Sequence, residues 1–164
     1  MNFIYNDISI LAATTYISLR LYTDAWDVAT DANKEKALHM AERLIESVPW
    51  RGQPYDLDED DQPGKWPRVI DGVTKDWDDD ESEAVVPEEI IFAIYEEALA
   101  ILQIGNSGRQ KLRSEGVKSF SISGKVSETF VTAKDQSEME ELGFKSPEAY
   151  RLVKRWIYRG GPVH

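Results

Sequence analysis

The 164-residue sequence contains no cysteine. Disulfides, thiolate metal sites and cysteine nucleophiles are therefore excluded, and the composition accords with a reducing compartment. Histidine is scarce, with 2 residues, His39 and His164. His39 falls on the polar flank of a helical pattern and His164 ends a glycine-rich tail, so neither stands in a serine–carboxylate arrangement. No apolar run reaches membrane-spanning length, and MNFIYND lacks a basic region ahead of an apolar block. The chain thus reads as neither membrane-spanning nor secreted. The phosphate-cradling patterns G-x-x-x-x-G-K-[ST] and G-x-G-x-x-G are missing. Carboxylates are abundant but no pair is marked out for hydrolysis. No enzymatic activity, cofactor or metal is expected.

Positive charge is also in short supply: 19 Lys and Arg face 30 Asp and Glu, for a net charge of −11. A general nucleic-acid binder needs a phosphate-facing basic surface, and this balance argues against one. The imbalance is uneven. Residues 1–100 hold 8 basic against 23 acidic side chains, whereas residues 101–164 hold 11 against 7. Such asymmetry would draw neighbouring copies together head to tail, or simply mark a solvated surface.

What is present is enough apolar content, 41%, to build one core. The central stretch is PEEIIFAIYEEALAILQ, from Pro87 to Gln103. Ile90, Ile91, Ile94, Ala98, Ile101 and Leu102 recur at helical spacing, Pro87 suits the first position, and Gly105-Asn106 supplies a stop. Its antiparallel mate runs from Asp31, as N-cap, to Val48, with Ala37, Leu38, Ala41, Leu44, Ile45 and Val48 as the stripe and Pro49 as terminator. Before it, residues 8–22 read as a short helix starting near Ser9 or Thr14, followed by a turn at Asp24-Ala25-Trp26 that plugs the core. The first residues read as a lead-in.

Residues 50–86 form a long connection with two acidic clusters and four aromatic anchors, Trp50, Tyr55, Trp66 and Trp77. Loops of this length are usually functional. Asp56-x-Asp58-x-Asp60 invites a calcium-loop reading, but Asp61 and Pro67 stand where that loop needs Gly and Glu. Val117 to Thr132 switches to period two around Ser123-Gly124, as a β-hairpin does. Ala133 to Gly143 is a polar stretch. Ser146 then caps a last helix begun by Pro147, with Ala149, Leu152, Val153, Trp156 and Ile157 as its stripe. The expected fold is mainly α: a bundle of three to four helices with a long aromatic and acidic loop, a β-hairpin and a C-terminal helix. The divisions expected are a core over 1–113 containing loop 49–86, a hairpin over 114–133, and a helix and tail over 134–164. The basic last helix, with Trp156 and Tyr158, would stack bases or dock in a protein groove; the acidity of the rest favours protein.

The order of features resembles the tailed-bacteriophage head–tail connector (adaptor) proteins, including small phage proteins labelled as having a DnaT-like single-stranded-DNA-binding domain. The matching pieces are Tyr16 to Tyr22, Trp26, the Lys36-Ala-Leu38 helix ending in Val48-Pro-Trp50-Arg-Gly52, and Gln62…Trp66-Pro67-Arg68. Val86-Pro87 and Gly116-Val-Lys-Ser119 complete them. The resemblance implies a non-enzymatic virion protein at the portal vertex, assembled in the host cytoplasm. It would form a dodecameric ring that docks on the portal and joins it to a tail or nozzle protein. Its partners would be itself, portal and tail, with no specific nucleic-acid binding and no membrane. On that reading Arg155, Trp156, Tyr158, Arg159 and Val163 dock on the portal. Phe120, Ile122, Lys125 and Val126 meet a neighbouring subunit or the tail, and Trp50, Trp66, Arg68 and Trp77 anchor the loop. The competing expectation is a single-stranded-DNA-binding module of a phage replication protein, with affinity that falls steeply with salt.

Overall fold

A computed structural model describes residues 2–55, 62, 64–70, 86–106 and 133–160. Six α-helices and one two-stranded antiparallel pair lie among them, so the fold is mainly α, as expected.

Ser9 sits in extended backbone and its Oγ accepts from the Ala12 amide at 3.0 Å. That cap starts α1, Ile10–Ile17. Ala13 and Ile17 are buried, yet Leu11 and Leu19 stay 77% and 85% exposed. The helix expected within residues 8–22 ends at Ile17, and Tyr22 beyond it is exposed as well, with φ 62°. A single turn, α2, Asp24–Asp27, buries Trp26 completely, and its indole N–H reaches Thr14 Oγ1 at 3.1 Å. In α3, Asp31–Ser47, the cap is Thr30, one residue earlier than expected, and Asp31 occupies the first turn. Ala37, Leu38, Ala41 and Ile45 face inward.

The long helix α4, Glu88–Asn106, is the central strut. From Ile90 to Ala100 only Phe92 escapes full burial, so α4 is covered around its circumference. It touches α1, α2, α3 and the last helix, α6, Pro147–Val153. Ser146 caps α6 by accepting from Ala149, and Pro147 opens it, as expected. A 3-10 turn, Lys154–Trp156, continues the chain. The polar stretch before it is not a loop: Ala133–Glu141 forms α5, packed on α6. Its apolar content is too thin to announce a stripe. The lead-in is likewise structured, with Tyr5 and Ile8 buried.

Inside the connection, β1, Gln53–Pro54, pairs with β2, Arg68–Val69. Gly52 makes the turn into β1 at φ 72°, and a Cβ there would lie 2.0 Å from the Val69 carbonyl oxygen. The hairpin expected over 117–132 lies outside the described residues.

Candidate functional site

Three tryptophans from distant parts of the chain meet in the core. Trp50 and Trp66 stand edge to face at 5.4 Å, and Trp66 and Trp156 at 5.3 Å. All three are buried. The Trp50 indole donates to the Ile45 carbonyl at 3.1 Å. Arg68 closes the loop from beneath, donating to the carbonyls of Arg51 at 2.9 Å, Lys65 at 3.2 Å and Gly52 at 2.6 Å. Burial lowers its guanidinium pKa, and among the described residues the carbonyls meet its donors without a carboxylate salt bridge. Trp77 lies outside the described residues.

The C-terminal residues divide between core and surface. Trp156, expected as an exposed docking anchor, is 3% exposed and belongs to the core. Its neighbours tie the end of α6 to the exit of α3: Arg51 donates to the Trp156 carbonyl at 2.8 Å and Tyr158 to the Pro49 carbonyl at 2.7 Å. Arg155 lies over the Trp156 ring at 4.1 Å and pairs with Glu89 at 2.6 Å. Arg159 pairs with Glu138 at 3.1 Å, and Lys154 with Asp135 at 3.4 Å. Tyr158 remains 45% exposed. Tyr158 and Arg159 line a groove of about 570 Å³ with Lys134, Ser137, Glu138 and Glu141. This groove is where an exposed ring and two cations converge. Val163, Phe120, Ile122, Lys125 and Val126 lie outside the described residues.

Sequence reasoning missed the buried carboxylates. Glu97, fully buried, accepts from the Lys145 amide at 2.9 and 3.0 Å and from the Ser146 amide at 2.9 Å. It thereby holds the start of α6 against α4. Burial raises its pKa, opposed by those amides. Glu42 does the same for the N-terminal residues, accepting from Ile4 at 2.7 Å and Tyr5 at 3.2 Å. Glu46 accepts from the Tyr5 hydroxyl and from the Lys65 amide at 3.0 Å. Glu96 takes the Tyr16 hydroxyl at 2.9 Å and the Arg20 guanidinium at 3.2 Å. A carboxylate inside an apolar stripe, as at Glu96 and Glu97, was the one available signal.

A family model described as "Putative DnaT-like ssDNA binding protein" matches residues 8–161. No curated protein and no solved structure gives a significant match. The family match overturns the head–tail adaptor reading, with its portal and tail partners, and the expectation of no specific nucleic-acid binding. The acidity that argued against DNA counted every carboxylate as surface charge, whereas Glu42, Glu96 and Glu97 are buried within the fold. With the match spanning nearly the whole chain, the protein belongs to the DnaT-like ssDNA-binding protein family.

Proposed function

We propose that the protein is a single-stranded-DNA-binding module without catalytic activity. The family match over residues 8–161 carries this reading. The groove around Tyr158 adds a physical route. An exposed aromatic ring offers a stacking platform for a base, and Arg159 and Lys134 stand beside it for the phosphates. Arg159 exchanges its Glu138 partner for a phosphate when a strand enters. Helix α5 starts directly after the sequence stretch that carries Arg109, Lys111, Arg113, Lys118 and Lys125 against Glu115 and Glu128, together with Phe120 and Phe130. That stretch is net basic, five cations against two carboxylates, and in the sequence it precedes Lys134 of the groove.

Glu138 and Glu141 in the same groove tilt the choice toward a single strand. A duplex brings about twice the charge per unit length, and the carboxylates repel it more strongly. Fluorescence anisotropy with a labelled oligothymidine, across a salt series, tests the proposal. Binding at low salt should weaken with a log–log slope of about −2, as expected for about three phosphate contacts. Tyr158→Ala should weaken it roughly 5- to 150-fold, the usual loss for one stacked base. Absence of binding at low salt, or preference for duplex, would reject the reading.

A further inference from the structure

A second groove, of about 720 Å³, runs between α1 and the first half of α4, on residues the DNA reading does not use. Its inner surface is aromatic and fixed. Tyr16 stacks on Phe92 at 4.6 Å, Tyr16 donates to Glu96, and Tyr95 donates to the Asp7 carbonyl at 3.0 Å. Its outer wall is Leu11 and Leu19, 77% and 85% exposed. Leu11 stands in the first turn of α1 and Leu19 in the turn just past its end at Ile17, so the two bracket the length of the helix. Solvent-facing leucines flanking a rigid aromatic groove leave apolar area that a partner would cover.

The charges of the groove say which partner. Asp7 and Glu88 lie at its exposed rim, and no Lys, Arg or His lines it among the described residues. An anionic lipid surface or a nucleic acid would be repelled there. A groove walled by α1 and α4 suits a third helix, whose apolar side chains at i, i+4 and i+7 meet such a groove. We infer that this groove docks a basic amphipathic helix of a partner protein, with its apolar stripe between Leu11 and Phe92 and its cations on Asp7 and Glu88. This inference is independent of DNA binding at the Tyr158 groove.

The test uses the full chain and three labelled 14-residue peptides: an amphipathic Leu/Lys helix, a scrambled peptide of the same composition, and a Leu/Glu counterpart. The Leu/Lys helix should bind at least about tenfold tighter than the scramble, and the Leu/Glu peptide should not bind. Leu11→Ser with Leu19→Ser should erase that tenfold margin, since each leucine buried is worth roughly a decade of affinity. Both leucines are exposed, so the variant keeps its circular dichroism. Asp7→Asn with Glu88→Gln should flatten the salt dependence, whereas Asp31→Asn with Lys36→Gln, on exposed α3 positions, should not. Equal binding of helix and scramble would mean generic attraction to an acidic protein, and the inference fails. It fails equally if sedimentation shows the wild type dimerising through Leu11 and Leu19, because a second copy is then the occupant.

Discussion

At the scale of single residues, the fold depends on side chains whose roles no local pattern reveals. Glu97 belongs to an otherwise apolar stretch of α4, and only the arrival of Lys145 and Ser146 explains it. Glu97→Ala removes the acceptor for two amides and should cost about 2–4 kcal/mol, read as a fall in the urea midpoint. The pH dependence has a definite sign. Burial raises the Glu97 pKa in the folded state, so the native protein holds that proton more tightly than the unfolded chain. Its contribution is full below the ordinary carboxylate range and declines as pH rises through the raised value. Glu97→Gln should therefore flatten the loss of stability across the pH window just above that range. A pH-independent gap between wild type and variant would refute the assignment. Gly52 is legible only afterwards: with φ 72° and the Val69 carbonyl in the way, Gly52→Ala should cost about 2 kcal/mol or more, measured as a lower Tm.

At the scale of elements, periodicity and boundary signals marked α3, α4 and the start of α6: each combines a wide apolar stripe with Pro49, Pro87 or Ser146-Pro147 at one end, although the cap of α3 falls at Thr30 rather than Asp31. It failed for α5, whose sequence AKDQSEMEE offers Met139 as its main apolar contact. It failed again for β1 and β2, two residues each, which exist because Arg68 and Gly52 bring their backbones together. The candidate site was half legible: Tyr158 and Arg159 were singled out, but Trp156 was given to the surface. Its stripe neighbours Val153 and Ile157 are buried with it, which the helical spacing already implied. Trp156→Ala should open a cavity beside Trp50 and Trp66 and cost about 3–5 kcal/mol. Near-UV circular dichroism should lose intensity at the same time, since the edge-to-face rings then lose a member.

At the scale of the molecule, two consequences of charge run in opposite directions. Added salt weakens attraction to phosphates but screens the self-repulsion of a chain at −11. The Tm should rise with sodium chloride over the range in which oligothymidine binding falls. Both measured on one preparation separate the fold from the interface. Helices α1, α2, α3 and α6 all rest on α4, so unfolding should be a single event. Tryptophan emission and far-UV circular dichroism should trace one urea transition; a gap between them would show that α6 leaves first. The attachment of α6 also bears on how the protein is made. Residues 147–157 carry Tyr150, Val153, Trp156 and Ile157, which complete the hydrophobic core that α3 and α4 begin. A ribosome that has released the chain only as far as Gly143 has exposed α4 without its last cover. The emerging polypeptide must wait, with apolar surface open to chaperones, until residues 147–157 emerge and supply the missing wall.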